Sequence, residues 1–153
     1  MKKTVLKISQ WFVVGATVAF TSCNNEPDKV SPQKVTGSVY VVCEGNFLSN
    51  EGKISRYNPT TNQSQIDVYK DANNVGLGDI VQSMTIIDTL AYIVVNNSNK
   101  IEIAGINSFK KVNTISNLAL PRYLVQVGNN KAYLTEYKNF VDNGQVSVID
   151  LKT

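Results

Sequence analysis

The chain has no histidine at all, two cysteines and one tryptophan in 153 residues. Without imidazole there is no Ser-His-Asp or Cys-His catalysis and no His-ligated zinc. Two thiols are too few for a Cys-only zinc site. Charge is sparse at 18% of residues, with 15 Lys and Arg against 12 Asp and Glu. Three of those cations, Lys2, Lys3 and Lys7, lie in a leader with no acid. Removing them leaves 12 basic groups against 12 acidic ones. A body of zero net charge offers no field to draw in a phosphate backbone, so no nucleic-acid partner is expected.

A long apolar run is also missing. The longest, Trp11 to Phe20, is half of the roughly 20 residues that a membrane-spanning helix needs. A basic start, a short apolar core and small residues after it make a secretory signal over residues 1–22. Thr21-Ser22-Cys23 resembles a bacterial lipoprotein box, in which cleavage precedes a cysteine whose thiol is then lipidated. Phe20 and Ser22 stand where the usual box has Leu and Gly or Ala. The competing reading is an ordinary signal peptide with Cys23 a bystander. Residues 23–36 hold two prolines and few apolar residues, the composition of a flexible tether. With Cys23 lipidated, Cys43 has no disulfide partner and is expected to act as a small hydrophobe.

What the rest has in abundance is Val, Ile and Asn, in short β-branched runs broken by Asn, Asp, Gly or Pro. That is an all-β pattern. The runs also repeat. Val39–Val42, Ala91–Val95 and Ala132–Thr135 each place a tyrosine (Tyr40, Tyr92, Tyr133) at the same point. Each is followed by a polar loop and an alternating strand, Lys53–Tyr57, Lys100–Ala104 and Gln145–Ile149. Third strands are expected at Ser64–Tyr69 and Val112–Ile115, and further strands between units at Val81–Ile87 and Arg122–Val127. Tyr92 and Tyr133 are 41 residues apart, and a four-stranded unit of about 40–50 residues is the period of a propeller blade. The expected fold is therefore a β-propeller of four-stranded blades over residues 37–153, truncated to under three blades. Blade 1 spans 37–70, blade 2 spans 81–116, and an incomplete blade 3 spans 121–153. A β-sandwich or small barrel would use similar strands, but would not explain the repeated tyrosine. Closed propellers have about 4–8 blades, so either the reading frame is part of a longer one, which we favour, or a second copy supplies the remainder.

Glu44-Gly-Asn-Phe47, Gly78–Ser83, Ala91–Ser98, Pro121-Arg-Tyr123 and Gly144–Asp150 together resemble the surface-lipoprotein branch of the YVTN-repeat (YncE-like) β-propellers. Ile103-Ala-Gly-Ile106 departs from the Val-Ile-Asp-Leu usual in such a repeat. The resemblance implies a seven-bladed ring outside the cytoplasm, lipid-anchored at the outer membrane or cell surface, with no shared catalytic residue. One branch of similar lipoproteins captures cobalamin and passes it to an outer-membrane transporter.

Propeller ligands commonly sit at the loops near the channel mouth, here 44–52, 71–80, 96–99, 117–121 and 136–144. The repeat sets Gln82 against Tyr123 and Asn96 against Tyr137, with Asn46, Asn97 and Arg122 beside them. Amides, phenols and one guanidinium suit a polar, amide-rich ligand such as a corrinoid. Taken one by one, the asparagines are expected first as turn formers in left-handed backbone, and Tyr40, Tyr92 and Tyr133 are expected to pack in the core at a repeated position. Gly76-Leu-Gly-Asp79 lacks the helix and Lys of a phosphate cradle. Asp71-Ala-Asn-Asn74 and Asp142-Asn-Gly144 do not match a calcium loop. We expect a ligand-binding or capture module, with no cofactor, no metal and no enzymatic activity. The alternative is a structural or protein-interaction surface propeller.

Overall fold

In the computed structural model, which describes residues 37–139, 141 and 143–152, β-branched runs become ten strands in three antiparallel sheets. The leader, the tether and Cys23 lie outside the described residues, as do Phe140, Asp142 and Thr153. The first sheet orders β1 (Val39–Cys43), β2 (Lys53–Asn58) and β3 (Gln63–Gln65). The second orders β4 (Val81–Ile87), β5 (Leu90–Val95), β6 (Lys100–Gly105) and β7 (Lys111–Ile115). The third orders β8 (Pro121–Gly128), β9 (Lys131–Tyr137) and β10 (Gly144–Asp150). Each sheet is a meander of sequential neighbours, joined by turns and loops of two to nine residues. The all-β expectation holds.

The third strand expected over Ser64–Tyr69 does not run its length. β3 stops at Gln65, and the helix α1 takes Val68–Asn73. The reason is capping. The Asp67 side chain accepts from the Lys70 N–H at 3.2 Å, and Asn74 closes the C-terminus in left-handed backbone with its N–H on the Lys70 carbonyl at 2.8 Å. Val68 and Tyr69 still reach the core, but from a helix. Asn73 then donates to the Phe109 carbonyl at 2.7 Å and accepts from the Lys111 N–H at 2.9 Å, tying α1 to the β6–β7 turn.

Side-chain alternation divides the apolar residues between two cores. Ala91, Ile93 and Val95 of β5 share one with Ile54, Val68, Tyr69, Leu77 and Phe109. Tyr92 and Val94, on the opposite face, share the other with Ile101, Ile103, Leu124, Ala132 and Leu134. The second sheet is thus covered on both faces, which is why β5 reads as an unbroken apolar run rather than an alternating one. Removing Ile93, Val94 or Val95 from water stabilises the fold by about 1.5–3 kcal/mol each, as an upper figure. β9 alternates instead: Ala132, Leu134 and Glu136 are buried, while Tyr133, Thr135 and Tyr137 are exposed.

The repeated tyrosines therefore do not share one environment. Tyr40 is half-buried with its ring 5.4 Å from that of Phe109, and Tyr92 is 4% exposed, but Tyr133 is 42% exposed. The expectation of core packing at all three fails at Tyr133, because no described residue covers that face of the third sheet. Cys43 is half-buried and unbridged at the end of β1.

Candidate functional site

The strands β4 and β8 both carry a bulge one residue in from their starts. Between Val81 and Ser83 it accommodates Gln82, and between Pro121 and Tyr123 it accommodates Arg122. Structurally, then, Gln82 matches Arg122, and Tyr123 matches Ser83. The sequence spacing of 41 misaligns this strand because the β8–β9 hairpin has a second irregularity between Gln126 and Gly128. Along β9 the offset of 41 holds, and Asn96 does match Tyr137. A bulge re-aims side chains and ends regular pairing, a common device beside binding sites.

At this end of the third sheet, Arg122, Tyr123, Thr135, Tyr137, Gln145 and Val146 line an open groove of about 410 Å³. The Arg122 guanidinium carbon lies 5.2 Å from the centre of the Tyr137 ring, a cation–π contact. Tyr123 is 56% exposed, so its ring is presented to solvent rather than packed. A larger hollow of about 580 Å³ lies at the opposite ends of the same strands, with Val127, Asn130, Lys131 and Asp150 in its walls. It brings together no aromatic ring and guanidinium, so the smaller groove has the better recognition chemistry.

The remaining expected residues do not line this groove. Asn96 is buried, and its Nδ2 donates to the Pro121 carbonyl at 2.9 Å, joining the end of β5 to the start of β8. Asn97 donates to Asp79, Asn46 to Glu51 at 3.2 Å, and Gln82 to Glu44 at 3.1 Å. The Ser83 hydroxyl donates to the Arg122 carbonyl at 2.7 Å, which sets Gln82 and Arg122 side by side. The left-handed asparagines are others: Asn50, Asn62, Asn74, Asn99 and Asn117. Asn46, Asn96 and Asn97 are used for their side-chain donors instead.

Sequence spacing assigned no role to two carboxylates, Asp79 and Glu136. Asp79 is 4% exposed; its Oδ2 accepts from the Leu48 N–H at 2.9 Å and from Asn97, pinning the 44–52 loop to the β5–β6 turn. Gly78, at φ 119°, lets the 71–80 loop pass Ser98, whose Oγ would lie 2.5 Å from any added Cβ. Glu136, also 4% exposed, accepts from the Ala119 N–H at 2.7 Å, from Gln145 at 3.1 Å and from Ser147. Burial pushes the Glu136 carboxyl up, but these three donors outweigh burial and hold it below the usual carboxylate range. The signal for Glu136 was present: it occupies an inward position of an alternating strand, where Ala132 and Leu134 precede it. Among the described residues no group of three or more His, Cys, Asp or Glu side chains could hold a metal.

All ten strands and the groove fall within residues 37–153, and that stretch matches a family model described as Domain of unknown function (DUF5074). The chain belongs to the DUF5074 family. No curated protein matches it. Among the described residues of this DUF5074 chain, no helix is long and apolar enough to cross a membrane.

Proposed function

We propose that this DUF5074 chain is a lipid-anchored, extracytoplasmic β-propeller module that captures a planar, amide-bearing small molecule, with a corrinoid as the ligand to test. The observation that carries the reading is the groove in which Arg122 stacks on Tyr137 beside the exposed Tyr123. Flat aromatic surfaces pack against a flat ligand, and a guanidinium with five donors binds peripheral carbonyls. The three sequential meanders support the propeller reading, since each has the strand order of a blade or part of one. Cys23 supplies the lipid anchor at the outer membrane or cell surface, where a transporter is the partner to receive the ligand.

Calorimetric titration of cobalamin into the chain tests the ligand. Binding is expected, weakened about tenfold by Arg122→Ala and by Tyr137→Ala, each with little change in melting temperature. No heat of binding overturns the corrinoid assignment. Mass spectrometry of the membrane fraction tests the anchor: cleavage between Ser22 and Cys23 with an acylated thioether is expected. A soluble product cut elsewhere overturns it.

The protein-interaction reading is favoured by a different observation, the exposed apolar face of the third sheet.

A further inference from the structure

The face that the first sheet turns toward the second is apolar for only part of its length. Alternation along β2 puts Ile54, Arg56 and Asn58 on that one side. Pairing registers extend the side into three rows, Val42–Ile54, Tyr40–Arg56–Gln65 and Asn58–Gln63. Ile54, Val42 and Tyr40 join the core shared with the second sheet, and the Tyr40 hydroxyl donates to the Ile106 carbonyl at 3.4 Å. Beyond them, at the end of β2 away from the 44–52 loop, the same face turns polar. There Ser38, Arg56, Asn58, Thr61, Gln63 and Gln65 line a hollow of about 530 Å³ in which every lining residue is polar. A smaller hollow of about 170 Å³ shares Arg56 and Gln65 with it and continues to α1 and the β6–β7 turn.

Arg56 gives this cleft its charge preference. It is half-buried, and its Nη2 donates to Gln65 Oε1 at 2.7 Å, while Gln65 Nε2 donates to Asp71 Oδ2 at 3.3 Å. The Gln65 amide thus fixes the guanidinium and stands between it and the Asp71 carboxylate. Among the described residues the ion pairs are those of Lys100 and Lys111 with Glu102, so Arg56 has no carboxylate of its own. A guanidinium carries five donors in a planar fork, and the bond to Gln65 leaves enough of them to hold a carboxylate bidentately. We propose that this cleft is a second binding site, for an acidic sugar: a ring with one carboxylate and several hydroxyls. The carboxylate goes to Arg56. The hydroxyls go to Ser38, Asn58, Thr61 and Gln63, whose side chains supply both donors and acceptors. Asn58 Oδ1 already accepts from the Thr60 and Thr61 N–H groups at 2.9 and 3.3 Å, which leaves its amide donors for the ligand. Polar walls on every side disfavour a lipid or a flat aromatic ligand, and a single cation near Asp71 favours a monoanion over a doubly charged phosphate. The site is separate from the groove at Arg122 and does not depend on the corrinoid reading.

Titration of the full chain with sodium glucuronate, followed by NMR of the side-chain amides, is the test, with glucose as the uncharged control. Glucuronate is expected to shift the Asn58, Gln63 and Gln65 amide signals saturably with a dissociation constant of about 1 mM, and glucose to bind about tenfold more weakly. Arg56→Gln should weaken glucuronate binding about tenfold, and Arg56→Lys, which keeps the charge without the fork, should weaken it less. Gln63→Ala, at an exposed position, should fold as the parent does and weaken binding about threefold, so the test stands even where an Arg56 variant fails to fold. Methyl glucuronide stands for the end of a glycan chain: binding tighter than the free acid assigns the ligand as a glycan terminus, and weaker binding assigns it as a free sugar acid. The absence of any saturable shift with glucuronate overturns the proposal. An equal response to glucose, or a folded Arg56→Gln that binds as tightly as the parent, overturns it too.

Discussion

The second and third sheets carry almost the same face and meet different fates. Tyr92, Val94, Ile101 and Ile103 are 4%, 0%, 0% and 4% exposed, because the third sheet covers them. Their counterparts Tyr133, Thr135, Val146 and Val148 face solvent. Equivalent strand positions thus differ in burial only through the presence of a neighbour. The difference teaches that burial at these positions comes from the stacking of one sheet on the next, so that each sheet is stabilised by its neighbour.

Truncating the two tyrosines should break the symmetry most visibly. Tyr92→Ala is expected to cost about 3–5 kcal/mol, the range for emptying a buried aromatic site. Tyr133→Ala in dilute protein should stay within about 0.5 kcal/mol, as for exposed positions. Urea denaturation curves of the two variants make the comparison, and equal losses would break it.

Buried carboxylates give the next largest effect. Glu136→Ala leaves the Ala119 N–H, Gln145 and Ser147 without their acceptor, and should cost about 1–3 kcal/mol. Glu102 plays a parallel part in the second sheet, accepting from Lys100 at 2.6 Å and Thr114 at 2.7 Å. Burial raises the Glu102 carboxyl, but Lys100, Thr114 and Lys111 overcome it and leave it below its usual value. Folded-state values below the unfolded 4.5 mean that both groups add stability that is fully present above that pH. The stability is lost as pH falls through the folded values. Thermal melts stepped downward from neutral pH should show it, and in Glu102→Gln or Glu136→Gln the acid sensitivity should shrink.

The smallest effect is at the seam between β4 and β8. Ser83→Ala and Thr85→Ala each remove one hydroxyl bond to a β8 carbonyl and should cost about 0.5–1.5 kcal/mol by chemical denaturation. Ser55→Ala, a hydroxyl position on the open face of the first sheet, serves as the reference and should be near neutral.

Much of this fold was legible from one sequence because its strands are short, β-branched and punctuated by turn residues. Nine of the expected strands coincide with observed ones to within a residue or two. The tenth, Ser64–Tyr69, failed because a local cap at Asp67 outweighed β-branched composition, which is a weak guide where a side chain competes for backbone donors. Of the candidate site, Arg122, Tyr123 and Tyr137 do converge on one groove. The alignment of Gln82 with Tyr123 failed because a single bulged hairpin residue shifts a strand's register without disturbing its apolar pattern. Asp79 and Glu136 could not be assigned a role because their importance comes from donors far along the chain, Leu48 and Ala119 among them. No local spacing encodes those partners.

Tyrosine nitration with peptide mass mapping tests the stacking account most directly. Tyr133 should be modified readily and Tyr92 should remain unmodified. Equal reactivity of Tyr92 and Tyr133 in dilute protein would contradict it.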